Sequence, residues 1–352
     1  MACVGNAAQG EGMGEATQAR EGMNLKLAKW EGLGNDYLVL EEEALPGPLT
    51  PQAVANLCDR HLGVGADGVL LKCAPSGAVP GAVSRMRVFN PDGSESEMCG
   101  NGIRIFARYL VQRRQVHNDE FLVETLAGPI RPRLLADGRV RVDMGWARFV
   151  SDSIDVTWFG GEYPVIGAEL TAGDERLRFT FVDVGNPHCV ILVDDPASVD
   201  IARLGPLVEH HRAFPRRVNV EFVRVEADGT VTMRVWERGV GETQACGTGA
   251  TAVGAACVRL GLVSSPVTVH LPGGDLVIEV EEGATLDDTR GTGNMSGAEG
   301  AGSRPGNAGG GPPSEALPSL KVHMTGPAEE VFCCELAPAL LRRLGWATRD
   351  VS

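Results

Sequence analysis

The sequence contains one short pattern twice, each time at the start of a predicted helix. Cys99-Gly100-Asn101-Gly102 leads into a predicted helix over 100–112, and Cys246-Gly247-Thr248-Gly249 leads into another over 247–260. Each copy follows a predicted strand and a polar, acidic turn. Self-similarity of this kind is typical of duplicated domains. The repeat therefore predicts two similar domains that face each other.

A weaker pair of patterns precedes the two cysteines in the same order. Gly34-Asn35-Asp36-Tyr37 lies in the first half of the chain and Gly185-Asn186-Pro187-His188 in the second. The conserved order within one chain strengthens the case for duplication. We expect a first half made of residues 24–145 plus 321–340 and a second half made of residues 146–283.

Two further segments have compositions that do not favour a packed core. Residues 284–320 contain nine Gly, four Pro and no aromatic residue, which predicts a low-complexity insertion. Residues 1–23 lack the apolar segment of a secretory signal and carry three Glu against one Arg, so they predict a disordered tail. Since plastid transit peptides are poor in acidic residues, a cytoplasmic location is expected rather than a plastid one.

The rest of the chain is dominated by alternation of apolar and polar residues, which indicates half-buried strands. Predicted helices are few, at 51–61, 100–112 and 247–260. Because strands do not alternate regularly with helices, the pattern favours an α+β fold with mixed sheets over a doubly wound parallel sheet. The predicted strands are 25–30, 37–41, 68–72, 86–90, 139–144, 178–184, 188–193, 218–225, 230–237, 267–271, 276–281 and 320–324.

Charge and cysteine content narrow the choice of partners. The chain has 32 Lys and Arg against 46 Asp and Glu, which disfavours a nucleic-acid partner and a polybasic membrane surface. No stretch approaches the ~18 apolar residues of a membrane span, and the nine cysteines show no zinc-ligand spacing. A small-molecule ligand is therefore expected, with no nucleic-acid, membrane or metal partner.

The two helix-start cysteines have a position that suits acid-base chemistry. The free N–H groups and the positive end of a helix dipole favour a thiolate over a thiol. The neighbouring glycines expose N–H donors that can hold a carboxylate. Two thiols on facing domains can remove a proton from one face of a carbon and return one to the other face. This arrangement predicts inversion at a carbon next to a carboxylate.

A cofactor is not expected. Pyridoxal phosphate requires a Schiff-base lysine, and none of the chain's four lysines lies in an evident phosphate-binding motif. Gly63-Val64-Gly65-Ala66-Asp67-Gly68 matches a dinucleotide fingerprint, but a helix precedes it and a strand follows, so we interpret it as a tight turn. Three alternatives stay open on the residues alone: a proline-type racemase with two cysteines, a redox or sensor protein in which Cys99 and Cys246 form a disulfide, and a binding module that keeps the cleft without turnover. The separation of the two cysteines by 147 positions disfavours the redox alternative.

Further motifs surround the paired cysteines in a fixed order. In chain order they are Gly32-Leu33-Gly34-Asn35-Asp36-Tyr37, Cys58-Asp59-Arg60-His61-Leu62-Gly63-Val64-Gly65-Ala66-Asp67-Gly68, Phe89-Asn90-Pro91-Asp92-Gly93-Ser94, Glu97-Met98-Cys99-Gly100-Asn101-Gly102, Gly185-Asn186-Pro187-His188, Asn219-Val220, Glu237-Arg238-Gly239, Gly241-Glu242-Thr243-Gln244-Ala245-Cys246-Gly247-Thr248-Gly249 and Met324-Thr325-Gly326-Pro327-Ala328. With these motifs the chain resembles the diaminopimelate epimerase family from about Leu25 to about Phe332, apart from the insertion.

The resemblance implies a fold and an activity. The expected fold is α+β, with two pseudo-symmetric domains, each a mixed β-sheet curled barrel-like around a central α-helix, and the active site in the cleft between them. The expected activity is a cofactor-independent isomerase that interconverts LL- and meso-diaminopimelate in lysine biosynthesis. A homodimer is compatible with the resemblance, but the sequence leaves the oligomeric state open.

The resemblance also implies site residues. Cys99 and Cys246 would be the acid-base pair, with His188 and Glu237 tuning the thiols. Arg238 would pair with the distal carboxylate of the substrate, and Glu237 would accept an ammonium group. The expected substrate-binding residues are Asn35, Asn90, Gly100, Asn101, Asn186, Asn219, Glu237, Arg238, Gly247 and Thr248.

Two residues depart from the pattern of the family. Some members carry glutamine at the position of Gly68, and members often carry tyrosine at the position of His323. A side-chain contact from position 68 to the substrate is therefore not expected, and a dimer contact through position 323 has less support.

Overall fold

A computed structural model describes residues 25–161, 163–282 and 319–346. The predicted tail over 1–23 lies outside the described residues, and so does the predicted insertion over 284–320 apart from its last two residues. Those two residues, Ser319 and Leu320, are buried. Within the described ranges, no helix has the length and apolar character needed to cross a membrane.

Strands account for more of the described residues than helices do. The helices are α1 (Pro51–Cys58), α2 (Gly100–Gln112), α3 (Ile201–Glu209), α4 (Gly247–Arg259) and α5 (Pro338–Arg343). The strands are β1 (Lys26–Gly32), β2 (Asn35–Glu41), β3 (Gly68–Cys73), β4 (Ala82–Phe89), β5 (Glu95–Ser96), β6 (Leu122–Thr125), β7 (Gly128–Ile130), β8 (Pro132–Leu134), β9 (Val140–Ala147), β10 (Ala168–Ala172), β11 (Glu175–Asp183), β12 (Pro187–Leu192), β13 (Asn219–Val225), β14 (Val231–Glu237), β15 (Gly241–Thr243), β16 (Val267–Leu271), β17 (Gly274–Glu282), β18 (Leu320–Gly326) and β19 (Glu329–Glu335).

The strands form two mixed sheets that share one connection pattern. The first has the order β19-β1-β2-β3-β4-β6-β7, and the second has the order β10-β11-β12-β13-β14-β16-β17-β18-β9-β8. Along β1-β2-β3-β4-β6-β7 the pairings are antiparallel, parallel, antiparallel, parallel and antiparallel. The run β11-β12-β13-β14-β16-β17 repeats this series. The α+β fold with two related halves is therefore confirmed.

The duplication extends to single residues. Tyr37 pairs with Gly68 between β2 and β3, and His188 pairs with Asn219 between β12 and β13. A short strand folds back on β4 in the first half and on β14 in the second. Tyr37 and His188 therefore occupy equivalent positions, as the weaker repeat in the sequence predicts.

The same ion pair closes the hairpin in each half. Arg87 donates to Glu95 at 2.7 Å across β4 and β5, and Arg234 donates to Glu242 at 2.8 Å across β14 and β15. Helix α2 follows the first hairpin and α4 follows the second. These hairpins deliver the two cysteines to the starts of the two helices.

Helix α4 lies close against the sheet because its buried face carries small residues. A Cβ atom on Gly254 would lie 2.6 Å from Ile278 of β17, so even alanine would push the helix away. Helices α2 and α4 contribute to one buried apolar cluster that includes Ile103 and Phe106 of α2, Val253 of α4 and Met324 of β18. The starts of both helices are thus fixed by a core that the two sheets share.

Several elements differ from the sequence-based expectation. The helix over 100–112 is confirmed, but the first predicted helix ends at Cys58 instead of 61. Asp59 accepts hydrogen bonds from the N–H groups of His61 and Leu62, and these bonds compete with continued helix. Helices α3 and α5 and strand β19 were not predicted.

Sheet membership also differs from the expected division of the chain. Strands β9 and β18 lie in the second sheet, although most of the residues of each were assigned to the first half. They pair with each other and, through β18, with β17. Pairing between such distant segments leaves no local signal in the sequence.

Candidate active site

The two helix-start cysteines have matching geometry. Each has extended backbone at the N-cap position, and its sulfur accepts a hydrogen bond from the N–H three residues later. The distance is 3.3 Å from Gly102 N to Cys99 Sγ and 3.4 Å from Gly249 N to Cys246 Sγ. The sulfurs thus take the place of the Ser or Asp oxygen that usually caps a helix, where negative charge is favoured.

The starts of the two helices meet. A Cβ atom on Gly100 would lie 3.6 Å from the Cα of Gly247, and one on Gly247 would lie 3.6 Å from the Cα of Gly100. The Asn101 side chain crosses between the halves and donates to the carbonyl oxygen of Ala245 at 3.4 Å. The free N–H groups of both helices therefore border one shared space, which suits a bound carboxylate.

A chain of hydrogen-bond contacts leads from a buried carboxyl group to Cys246. Glu221 Oε1 lies 2.6 Å from His188 Nδ1, and His188 Nε2 lies 3.0 Å from Asn186 Oδ1. Asn186 Nδ2 donates to Thr248 Oγ1 at 3.3 Å, and that hydroxyl lies 3.5 Å from Cys246 Sγ. His188 therefore reaches the thiol through Asn186 and Thr248.

The surroundings of Cys246 oppose its ionisation. Burial raises the pKa of Cys246 well above its ordinary value, and the nearby charge of Glu237 raises it further. The hydrogen bonds from Thr248 and from the Gly249 N–H act in the opposite direction. Burial also raises the pKa of Glu221, although His188 opposes that shift. These environments favour a protonated Cys246, ready to act as an acid.

Cys99 has different neighbours. The hydroxyl of Tyr37 lies 3.2 Å from Cys99 Sγ. Arg104, one turn into α2, is fully buried and donates to the carbonyl oxygen of Gly100 at 3.1 Å and to Asn101 Oδ1 at 3.0 Å. Burial lowers the pKa of Arg104 to about 10, so its guanidinium remains charged at neutral pH. A phenol and a buried cation thus accompany this thiol.

A network of acidic and basic side chains holds Asn35 in place. Its Nδ2 donates to Asp67 Oδ2 at 2.8 Å, and its Oδ1 accepts from Asn101 at 3.2 Å. Arg60 donates to both Asp36 and Asp67 at 2.7 Å. Burial acts to raise the pKa of Asp36, but the hydrogen bonds from Arg60 and a lysine lower it to about 2. The network fixes the turn that carries Asn35.

Arg238 is positioned by Asn219 and presents a free charge. Asn219 is buried, donates to the carbonyl oxygen of Pro187 at 3.0 Å and accepts from the Arg238 N–H at 2.9 Å. The Arg238 guanidinium donates to the Arg216 carbonyl oxygen at 3.1 Å. No carboxylate of the described residues lies within ion-pair distance of it. Next to it, Glu237 Oε1 accepts from the Thr243 hydroxyl at 2.5 Å.

The structure gathers most of the residues that the sequence predicts. The contacts described above link Cys99, Gly100, Asn101 and Asn35 on one side, and Cys246, Gly247, Thr248, Asn186 and His188 on the other. Asn90 differs, because its side chain bonds only within its own turn, donating to Ser94 at 2.9 Å and accepting from Ser96 at 3.2 Å.

Over the described ranges there is no cluster of three or more His, Cys, Asp or Glu residues arranged to hold a metal.

Three residues of this region were not predicted from the sequence: Tyr37, Arg104 and Glu221. The sequence does contain a signal for Tyr37, because Tyr37 occupies the position in the first copy of the weaker repeat that His188 occupies in the second. Arg104 and Glu221 had none, since only the packing of distant strands over α2 and of α4 over β13 makes them buried.

Comparison with known proteins places the chain among epimerases. The family model for diaminopimelate epimerase matches residues 27–150 and 180–295. The chain is 47% identical over 261 residues to the diaminopimelate epimerase of Moorella thermoacetica, covering 72% of this chain and 91% of that one. It is 45% identical over 312 residues to that of Desulforudis audaxviator, covering 88% and 98%.

The fold is also shared with more distant proteins. A probable proline racemase from Agrobacterium radiobacter superposes with a TM-score of 0.58 at 16% identity, covering 93% of this chain and 97% of that one. Identity at this level supports a shared fold and carries no information on substrate. The family model and the relatives, by contrast, decide against the proline-type and redox alternatives: this chain belongs to the diaminopimelate epimerase family.

Proposed function

We propose that this chain interconverts LL- and meso-diaminopimelate in lysine biosynthesis, by proton transfer at the α-carbon between Cys99 and Cys246. The observation that carries the proposal is the meeting of two capped helix starts, so close that a Cβ atom on Gly100 or Gly247 would be in van der Waals contact with the other glycine. Each start presents one thiol and a set of free N–H groups. Opposed thiols around a single carbon are what inversion by two bases requires.

The neighbouring residues have separate tasks in this reaction. The N–H groups at Gly100-Asn101 and Gly247-Thr248 hold the reacting carboxylate and stabilise the charge that develops as the α-proton leaves. The guanidinium of Arg238, which has no carboxylate partner among the described residues, binds the distal carboxylate with two parallel hydrogen bonds. Glu237 accepts an ammonium group and, with His188, adjusts the proton affinity of the thiols.

Exchange of the α-proton tests the proposal. LL-Diaminopimelate is incubated in D₂O without added pyridoxal phosphate, and deuterium uptake and inversion are followed by NMR. The wild type should exchange and invert. Cys99→Ala and Cys246→Ala should each lose ~10²–10⁴-fold in rate, the usual contribution of one acid-base group. Cys257→Ala, on the same helix as Cys246 and also buried, is the control and should retain activity.

The other outcomes point elsewhere. Exchange of proline derivatives in place of diaminopimelate would keep the two-thiol chemistry and replace the substrate. Full activity of either alanine variant at position 99 or 246 would refute the two-cysteine mechanism. No exchange with either class of substrate would refute an epimerase activity altogether.

The proposed setting of the enzyme is the cytoplasm, with a small-molecule substrate and no nucleic-acid or membrane partner. The net charge of −14 supports this choice. A homodimer remains a prediction, and light scattering of the purified full chain would test it.

A further inference from the structure

We propose that Tyr37 is a further catalytic residue, whose hydroxyl donates a hydrogen bond to Cys99 Sγ and stabilises its thiolate. This inference rests on the proposed function, in which Cys99 Sγ is a reacting atom. Two kinds of observation carry it: the direct contact between the phenol and the sulfur, and the place of Tyr37 in the internal repeat.

The contact is short and its geometry is fixed by packing. The hydroxyl oxygen lies 3.2 Å from Cys99 Sγ, which is hydrogen-bond distance for sulfur, and Tyr37 is 6% exposed. Among the described residues the hydroxyl has no other hydrogen-bond partner. With Cys99 as its single partner, the phenol is committed to the thiol.

Gly68 makes room for the ring. A Cβ atom at Gly68 would lie 2.6 Å from Tyr37 Cε1 and 2.5 Å from the carbonyl oxygen of Phe89. Any side chain at this position would displace the ring or the strand. Gly68, which departs from the family pattern, therefore leaves the space that the Tyr37 ring occupies.

The internal repeat shows what Tyr37 replaces. Tyr37 and His188 hold equivalent positions on β2 and β12, as the register of the two sheets shows. In the second half, the residue at this position approaches Cys246 through Asn186 and Thr248. In the first half, the equivalent residue touches the sulfur of Cys99 directly.

A second equivalent pair makes the two thiol environments unlike. A Cβ atom on Gly102 would lie 3.0 Å from Leu70 Cδ2, and one on Gly249 would lie 3.0 Å from Glu221 Oε1. Leu70 and Glu221 therefore flank the two helix starts at corresponding places. Beside Cys99 these two positions hold a phenol and an apolar side chain. Beside Cys246 they hold an imidazole, which reaches the thiol through other residues, and a carboxyl group.

The phenol stays protonated at neutral pH and can therefore donate to the sulfur. Burial raises the pKa of Tyr37 well above its ordinary value, and negative charge on Cys99 raises it further. The charges of Asp67 and Glu237 act in the same direction. A protonated phenol beside the sulfur stabilises the thiolate, because hydrogen bonds to charged acceptors are stronger than those to neutral ones.

Site-resolved alkylation tests the inference with Tyr37→Phe, which removes only the hydroxyl. The folded full-length enzyme is treated with iodoacetamide from pH 5 to 10, and labelling of each cysteine is measured by peptide mass spectrometry. The pH of half-maximal labelling at Cys99 should rise by about one to two units, the effect of losing one hydrogen bond to a charged group. The profile of Cys246 should not move.

Tyr109→Phe is the matched control. Tyr109 is also buried, and its hydroxyl donates to Glu41 at 2.7 Å, away from both cysteines. The labelling profile of Cys99 should be unchanged in this variant. In kinetic assays of Tyr37→Phe, the acid limb of kcat/KM should move to higher pH in both reaction directions, since both start from a singly ionised thiol pair.

A second measurement keeps the hydroxyl of Tyr37 and changes its acidity. The chain contains three tyrosines, which can be replaced together by 3-fluorotyrosine during expression. The more acidic fluorophenol donates more strongly, so the labelling midpoint of Cys99 should move to lower pH, and in a Tyr37→Phe background this shift should vanish.

The outcomes separate this inference from the proposed function. An unchanged Cys99 profile in folded Tyr37→Phe, with diaminopimelate turnover intact in the wild type, overturns the role of Tyr37 alone. A wild type that does not turn over diaminopimelate overturns the proposed function, while the labelling experiment still reports whether the phenol stabilises the thiolate.

Discussion

Glu221 and His188 form a fully buried pair in which Glu221 Oε1 lies 2.6 Å from His188 Nδ1. The other carboxyl oxygen, Oε2, has no hydrogen-bond partner among the described residues. A buried carboxylate with one unsatisfied oxygen is costly, and burial accordingly raises the pKa of Glu221. The folded state therefore binds a proton tightly at this pair, which stands at the far end of the hydrogen-bond chain that leads to Cys246.

Glu221→Gln should become more stable relative to the wild type as the pH rises. The raised pKa means that the folded wild type binds a proton that the unfolded chain releases near pH ~4.3. Wild-type stability is therefore lost as the pH rises from that value through the folded pKa. Glutamine carries no such proton and keeps an acceptor for His188. Urea unfolding between pH 4.5 and 8 measures the difference in unfolding free energy.

Glu124→Gln is the control, because the contribution of Glu124 to stability should change with pH in the opposite direction. Glu124 accepts hydrogen bonds from the Ser76 hydroxyl at 2.6 Å and the Ser76 N–H at 2.9 Å, and these bonds lower its pKa. Its contribution to stability is present above the ordinary glutamate pKa and is lost as the pH falls. The same trend with pH in both variants would contradict the assignment for Glu221.

Gly249→Ala should impair the reaction far more than Gly102→Ala, although the two glycines are equivalent in the repeat. The added methyl at Gly249 would lie 3.0 Å from Glu221 Oε1 and 3.4 Å from Cys246 Sγ. Glu221 cannot withdraw without breaking its bond to His188. We expect a fall of about 10- to 100-fold in kcat, corresponding to ~1–3 kcal/mol of overpacking.

At Gly102 the methyl would meet the end of the Leu70 side chain at 3.0 Å. A leucine methyl can shift by a few tenths of an ångström at small cost, so the loss of activity should be several times smaller. Steady-state kinetics and thermal unfolding of both variants would check this. Equal losses would show that the carboxyl group at Glu221 does not constrain the helix start.

The features predicted from the sequence are those with local causes. The helix starts at Cys99 and Cys246 follow from the glycines and from the hydrogen bond that each sulfur accepts three residues later. The repeat around Tyr37 and His188 was visible in the sequence. Such signals span fewer than ten residues, so no tertiary information is needed to detect them.

The features that were not predicted depend on distant packing. Glu221 stands in an alternating strand pattern, and it is the covering helix α4 that buries it. Arg104 is buried because Pro327 and Met324, more than 200 positions away, close over it. The order of residues along the chain does not show which distant elements will cover these side chains.

Arg104→Met should reduce activity more than stability. The guanidinium donates to the carbonyl oxygens of Gly100 and Pro327 at 3.1 and 3.2 Å, so its loss frees the helix start that we propose holds the substrate carboxylate. Since burial lowers the pKa of Arg104 to about 10, the cost of burying its charge is fully present below that pH. The stability difference should therefore not vary between pH 6 and 8.5.

Arg104→Lys should recover part of the activity, since lysine keeps the charge and loses the fork geometry. Arg108→Met, one turn further along α2, removes a guanidinium that bonds to the Gly138 carbonyl oxygen at 2.6 Å and should leave the kinetics nearly unchanged. Parallel measurement of kcat and melting temperature would check the three variants. A loss of stability without loss of activity in Arg104→Met would mean that this residue serves folding alone.

Arg238→Lys should weaken substrate binding with little change in kcat. Arg238 has no carboxylate partner among the described residues, and Asn219 fixes its backbone. Its guanidinium can therefore hold the distal carboxylate with two parallel hydrogen bonds, which the lysine ammonium cannot reproduce. We expect KM for meso-diaminopimelate to rise about tenfold, corresponding to ~1.4 kcal/mol.

Arg224→Lys provides the comparison for this loss. Arg224 pairs with Glu226 at 2.8 Å on the neighbouring strand β13, so its replacement should leave KM unchanged. Lysine, which lacks the distal carboxylate of diaminopimelate, adds a second check, because its weak α-proton exchange should be the same in the wild type and in Arg238→Lys. If kcat falls while KM stays constant, Arg238 acts on the transition state and not on the distal end of the substrate.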